Sequence, residues 1–245
     1  MSTSSPLLWH TLFEALAYAV GVQVYRVQRR RLALPGLADP DRALWIVVAA
    51  ALGAALGSKL SFWLEDPLQA FANFPDWRHL LEGKSIVGGL LGGLVGVETA
   101  KRLLGVRSST GDAFVLALGI GLCIGRIGCF VAGLNDHTYG LPSSLPWAVD
   151  FGDGVPRHPT QLYEIAFVLP FTLWIHRYAG RGGRSGDRFR LWLSGYLLFR
   201  LLIETIKPLP MAYPPGLSGI QWLCIAGLLY YARDLPRLGR VMRGS

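Results

Sequence analysis

Charge is scarce in this sequence: only 16% of its 245 residues are Asp, Glu, Lys or Arg. A soluble domain carries nearer to about a quarter. Cysteine is also sparse, with three residues and no C-x-x-C, so neither a disulfide framework nor a zinc knuckle is expected. Cys123, Cys129 and Cys224 all fall in apolar runs and read as buried thiols. The opening MSTSSPLLWH has no basic n-region and no small-residue cleavage pattern beyond it, so the first apolar run reads as a retained helix rather than a removed leader. What fills the chain instead is hydrocarbon: 51% apolar residues and a mean hydropathy of +0.36.

The apolar residues come in runs too long for one soluble core. About 20 residues at 1.5 Å each cross about 30 Å of hydrocarbon, and seven such runs are read: 7–27, 43–64, 85–104, 111–134, 159–178, 189–207 and 216–233. The expectation is an all-α polytopic membrane protein, one seven-helix domain over 1–245. A net charge of +8 invites a nucleic-acid partner, but the positions argue against one. Arg26, Arg29, Arg30, Arg31 and Arg42, then Lys101, Arg102 and Arg107, then Arg177, Arg181, Arg184, Arg188 and Arg190, and finally Arg233, Arg237, Arg240 and Arg243 all lie on one side of a seven-span arrangement. That is 17 of the 24 basic residues. The positive-inside rule then puts the amino terminus outside and the basic tail, 234–245, in the cytoplasm.

This orientation gives every intramembrane charge a depth. Glu14, Arg126, Glu164, Arg200 and Glu204 fall in the outer half, with Arg157 and His158 at that boundary; Glu98 alone falls in the inner half. Each costs roughly 2.5–3.5 kcal/mol at a helix centre, so each needs a partner or a wet interior. Structural ion pairs between helices explain any one of them. Several charges from different spans at one depth favour a shared cavity, and guanidinium forks match phosphate oxygens. The abundant anion at that depth is a phospholipid headgroup.

Glycine supports close packing. The stretch SIVGGLLGGLVG contains the ladders Gly88/Gly92/Gly96 and Gly89/Gly93, which bring helix backbones together or offer backbone to a polar ligand. The outer connections are 65–84, with Trp63, Phe74 and Trp77 as an interfacial arm, and the long 135–158, with Trp147 as an aromatic anchor. Arg181-Gly-Gly-Arg184-Ser-Gly186 reads as a flexible basic linker against anionic lipid.

Three motifs resemble a known family. GRIG-C-F opening at Gly125, RHPTQLYE at 157–164 and G-Y-x-L-F-R-x-x-x-E ending at Glu204 are similar to those of the bacterial prolipoprotein diacylglyceryl transferases. The similarity runs from the first span through SIVGGLLGG to GIQWL, most of the chain. It implies a multi-pass inner-membrane enzyme whose site faces the outer leaflet. Such an enzyme moves the diacylglyceryl group of phosphatidylglycerol, or a similar anionic phospholipid, to the lipobox cysteine of a precursor protein. No metal and no soluble cofactor are implied. Arg126 and Arg200 would hold the phosphate and stabilise the charge growing on it, with Glu204 beside them. Arg157, Tyr163, Gly88, Gly89 and Gly140 complete the implied substrate-binding set.

The chain departs from the family pattern at several places. Val87 stands where a histidine precedes the paired glycines, Cys129 and Ala132 where asparagines stand, and Phe13-Glu14 where Tyr-Gly is usual. An acceptor thiol still needs a base or a lowered pKa; Glu204, Glu164, His158, His137 and His10 are the candidates. The rival reading is a lipid-binding or transport protein that keeps the phosphate pocket without turnover. Transport would bring internal repeats and broken helices, and neither is evident in the sequence.

Overall fold

A computed structural model describes residues 4–72, 83–177, 184–234 and 236–239. Eight α-helices are described: α1 (Ser4–Leu32), α2 (Pro40–Glu65), α3 (Pro67–Ala72), α4 (Ile86–Leu103), α5 (Val115–Ala132), α6 (Thr160–Arg177), α7 (Asp187–Ile203) and α8 (Gly219–Tyr230). They gather into two compact units.

The first unit holds residues 1–33, 110–208 and 234–245. Here α1 lies along α5, where small residues allow close approach: a side chain on Gly128 would run into Phe13. On its other flank α5 meets α6, and Gly119 makes room for Thr172. Helix α7 closes against α6 through aromatic packing. Phe167 and Phe199 stack with centroids 4.6 Å apart, and the buried Trp192 donates from Nε1 to Thr172 Oγ1 at 2.8 Å. At the opposite end from the charges near Arg200, Asp112 accepts from the backbone N–H groups of Gly186 and Phe189 and so ties the start of α7 to the turn before α5.

The second unit holds 34–109 and 209–233. Its centre is the crossing of α2 with α4. Gly53 and Gly57 face Gly88, Gly92 and Gly96 so closely that any Cβ there would strike backbone atoms of the facing helix. Close backbone approach of this kind is what small-xxx-small ladders provide. The other end of α2 is tied by Tyr213 Oη, which donates to the Leu64 carbonyl at 2.6 Å, and by the start of α8. Caps set the helix starts: Asp39 accepts from Asp41 N before Pro40 opens α2, Ser85 accepts from Gly88 N, and Ser218 with Gln221 forms a capping box on α8. Glu98, the inner-half acid, pairs with Lys101 at 2.9 Å one turn along α4.

The apolar faces point outward. On α2, Leu44, Leu52, Leu56 and Leu60 are each about 60% exposed, a continuous apolar surface that water would not tolerate. Among the described residues, two stretches, Pro40–Glu65 and Gly111–Asp136, are by length and composition apolar enough to cross a membrane.

Several expected boundaries shift. Helix α1 does not stop at residue 27 but continues through Arg29, Arg30 and Arg31, because basic residues suit the negative end of the helix dipole. The sixth run ends as α-helix at Ile203, and Glu204 begins a 3-10 turn, Glu204–Ile206. Helix α8 has 12 residues, about 18 Å of rise, where the run 216–233 promised 18 residues. The connection 65–84 contains the short α3; Phe74 and Trp77 lie outside the described residues, as do Arg181 to Gly183 of the basic linker. The expectation of helix alone misses a small antiparallel hairpin, Val149–Asp150 with Pro156–Arg157. Its turn is built by Asp150 Oδ1, which accepts from the N–H groups of Gly152, Asp153 and Gly154, with both glycines at positive φ. Arg237 of the tail is not a loose basic residue: it pairs with the buried Asp187 at 2.7 Å.

Candidate functional site

The charges in the apolar helices of the first unit form one cluster. Arg126 comes from the last turns of α5, Glu164 from the first turns of α6, and Arg200 from the last turn of α7. All three are buried, with Glu164 only 2% exposed. Arg126 Nε lies 2.8 Å from Glu164 Oε2, although off the N–H axis, so this contact is electrostatic more than a directed hydrogen bond. Arg200 Nη1 reaches the same oxygen at 3.4 Å, and its Nη2 reaches Glu204 Oε2 at 2.7 Å. The other oxygen of Glu164 accepts from Tyr196 Oη at 2.6 Å.

The two arginines therefore meet at one carboxylate. Two acids balance two bases, which is how four charged groups persist among apolar helices. The donors are not all spent. Arg200 Nε is buried without a hydrogen-bond partner, and Arg126 Nη1 faces only the weak acceptor Cys129 Sγ at 3.8 Å. A buried donor without a partner calls for a ligand or another cause, and a pair of guanidiniums with free edges is suited to an anion.

The engagement of Glu164 weighs against its candidacy as a base. A carboxylate shared by two guanidiniums and a phenol has its lone pairs committed to them. Glu204 is likewise held by Arg200. Each fits the role of fixing an arginine better than that of accepting a thiol proton.

The other candidates sit elsewhere. Arg157 turns to its own hairpin, with Nη1 and Nη2 each 2.7 Å from one oxygen of Asp153, and it lies over the Tyr139 ring at 5.0 Å. This fork holds the exposed Asp153 carboxyl below the usual carboxylate range. Tyr163 accepts from Trp147 Nε1 at 2.7 Å and meets His158 Nδ1 at 3.2 Å, so these three form a knot beside the hairpin. Gly140 has a packing reason: its N–H donates to His158 O, and a Cβ would collide with His158 and the Ile206 carbonyl. Gly88 and Gly89, with the buried Val87, lie on α4 in the second unit, Gly88 in its glycine crossing. Tyr196 was not singled out from sequence, although the motif spells it four residues before Arg200, on the same helix face.

A second polar group adjoins the first. His10 Nδ1 lies 3.2 Å from Asp136 Oδ1, and Thr138 Oγ1 donates to Asp136 Oδ2. Gln161 Nε2 donates to Thr138 Oγ1 at 3.1 Å, and Thr160 Oγ1 to Thr138 O at 2.5 Å. Donor atoms of His10, Cys129 and Asp136 all lie within 4.8 Å of one another. Nitrogen, sulfur and oxygen in that number would suit a cation, but the Arg126 guanidinium beside Cys129 sets a positive charge against one.

Buried arginines paired across apolar helices, with donor edges to spare, define a helical protein that keeps a balanced charge cluster within an apolar setting. Comparison with known proteins makes that class specific. Residues 2–232 match the family model of prolipoprotein diacylglyceryl transferases, and the chain belongs to this family of bacterial membrane enzymes. It is 34% identical over 212 residues to the phosphatidylglycerol–prolipoprotein diacylglyceryl transferase of Geobacter sulfurreducens, covering 81% of this chain and 77% of the relative. The enzymes of the same name from Bordetella parapertussis and Bordetella avium are 32% and 34% identical, covering 90% and 95% of this chain and 87% and 92% of theirs.

Proposed function

We propose that this protein transfers the diacylglyceryl group of phosphatidylglycerol to the cysteine thiol of a lipobox-bearing precursor. The observation that carries the reading is the convergence of Arg126 and Arg200, from two helices, on the one carboxylate of Glu164. Their free edges, Arg200 Nε and Arg126 Nη1, take the phosphodiester oxygens. As sulfur attacks the glyceryl carbon, the C–O bond breaks and its electrons pass to the phosphate oxygen, so the leaving group gains a negative charge. Guanidiniums already fixed by Glu164 and Glu204 stabilise that growing charge without reorganising. Tyr196 and the two acids hold the arginines in place; they need not touch the lipid.

The protein works in the bacterial inner membrane as a seven-helix protein, amino terminus outside and site in the outer half of the bilayer. The basic bias of alternate connections and the shared end of α5, α6 and α7 at which the charges sit support this orientation. The shorter helices complete their crossing with flanking turns. The test is transfer from labelled phosphatidylglycerol to a lipobox peptide by purified protein in lipid. Arg126→Ala and Arg200→Ala should each lower transfer by at least about 100-fold, the scale of one lost oxyanion donor. Lipid binding by the unaltered protein without transfer, where a Bordetella relative works, would refute the reading.

A further inference from the structure

We propose that His10 is the proton acceptor for the incoming thiol and that Asp136 is its positioning residue. The inference rests on the transfer reading above and extends it to the acceptor side of the site. His10 stands on α1, and among the described residues it is the histidine with a carboxylate partner, Asp136 at 3.2 Å. That carboxylate is itself braced: Thr138 donates to its second oxygen, Gln161 donates to Thr138, and Thr160 donates to the Thr138 carbonyl. Thr160 and Gln161 are buried at the start of α6, four and three residues before Glu164. One helix start thus positions the carboxylate between the arginines and the brace behind the His10–Asp136 pair.

The pair lies next to the phosphate-holding group. Cys129 stands between them, its sulfur 3.8 Å from Arg126 Nη1 and within 4.8 Å of the His10 and Asp136 donor atoms. The charged and titratable groups on the elements packed against His10 are Cys123, Arg126 and Cys129 on α5, Asp112 in the turn before it, and Asp136 followed by His137. Glu14 lies one turn further along α1. Among these, Asp136 is the acid that meets the imidazole. With Nδ1–H directed to Asp136, Nε2 carries the free lone pair. The His10 side chain keeps 27% of its surface open, so a substrate can reach it and a proton can leave to water.

The step balances. Nε2 takes the S–H proton, sulfur forms the S–C bond to the glyceryl carbon, the C–O electrons leave on phosphate, and the imidazolium returns its proton to water. A general base of this kind contributes about 100-fold or more.

The experiment uses the full chain in lipid with labelled phosphatidylglycerol and a lipobox peptide. His10→Ala should lose about 100-fold or more in transfer and keep its binding of phosphatidylglycerol. Added imidazole should restore part of the rate, in proportion to its unprotonated fraction. His10→Gln, the gentler change, should lose transfer with lipid binding retained. Asp136→Asn should lower kcat and leave KM for the peptide unchanged, with Asp136→Glu recovering part. Transfer by His10→Ala or His10→Gln within threefold of the unaltered protein overturns the inference, as does a loss in His10→Ala that imidazole leaves untouched. Failure of the unaltered protein to transfer at all would instead sink the reading beneath it.

Discussion

Replacing Glu164 by glutamine puts the central geometry to its hardest test. The carboxylate sits 2.8 Å from one guanidinium nitrogen and 3.4 Å from another. At an effective dielectric near 20, the two attractions sum to roughly 11 kcal/mol before desolvation. Most of that repays the burial of the charges. Removing one member of a buried ionic set costs a net ~3–5 kcal/mol, because the remaining charges are left unbalanced. Glutamine keeps the volume and still offers an oxygen to Tyr196, so the loss isolates charge from packing. In a chain of this size about 1 kcal/mol moves Tm by about 2–4 °C, and Glu164→Gln should melt roughly 6–20 °C lower in detergent.

The decisive part is what lipid does to that loss. Without Glu164 the cluster carries Arg126 and Arg200 against Glu204 alone, an excess of one positive charge. A phosphodiester brings one negative charge to the same place. Phosphatidylglycerol should therefore raise the Tm of Glu164→Gln by more than it raises that of the unaltered protein, whereas a zwitterionic phospholipid should not distinguish them. Transfer should fall at the same time, because arginines no longer fixed between acids must reorganise during the reaction. Thermal unfolding by intrinsic fluorescence across a lipid series reads all of this. An unchanged Tm, or equal stabilisation of the two proteins by phosphatidylglycerol, would refute the shared-carboxylate account of the site.

Three further outcomes follow from named contacts. Tyr196→Phe removes a buried hydrogen bond to an ionised acceptor and should cost ~1.5–3 kcal/mol in thermal unfolding, with transfer reduced through loosened Glu164 rather than lost. Gly57→Leu drives a side chain into the backbone of α4 at the tightest crossing of the second unit, and should abolish recovery of folded protein from membranes, read by gel filtration in detergent. The Asp153–Arg157 fork adds stability to the hairpin that is present above the ordinary carboxylate range and is lost only as pH falls through the lower, folded-state value of Asp153. Trp147 emission, reporting the adjacent loop, should hold steady from neutral pH down through the usual Asp range, and Asp153→Asn should remove whatever acid transition lies below it.

The legible part of this protein is the part carried by local spacing. Arg200 and Glu204, four apart, pair as their spacing requires, even though the α-helix gives way to a 3-10 turn between them. Tyr196, four residues earlier, was equally readable on that face. The ladder on α4 was read without its partner, yet Gly53 and Gly57 in the Ala-rich run of α2 repeat the same four-residue step. Arg157 shows the opposite case. Its place in a recognisable motif points it toward the substrate, whereas in the structure Asp153, four residues away in the same turn, takes both of its terminal nitrogens. A nearby carboxylate wins that competition because little loop entropy is lost in reaching it.

What spacing cannot carry is the meeting of Arg126 with Glu164, 38 residues along, or of His10 with Asp136, more than a hundred residues on. These depend on α1, α5 and α6 presenting the same ends to one place. Charge balance makes the first group a single set. Each of Arg126, Glu164, Arg200 and Glu204 alone would burden its helix by roughly 2.5–3.5 kcal/mol in hydrocarbon; Arg200 and Glu204 balance each other along one segment, but α5 and α6 carry no such complement. Arg126 has no acid within a turn on α5, and Glu164 no base within a turn on α6. Only the assembled bundle neutralises them. The cluster is therefore a condition of packing these helices as well as the proposed grip for phosphate, so a variant that removes an arginine must be judged on folded protein. The lipid dependence of Tm in Glu164→Gln separates the two roles, because a structural ion pair gains nothing particular from an anionic headgroup and a phosphate site does.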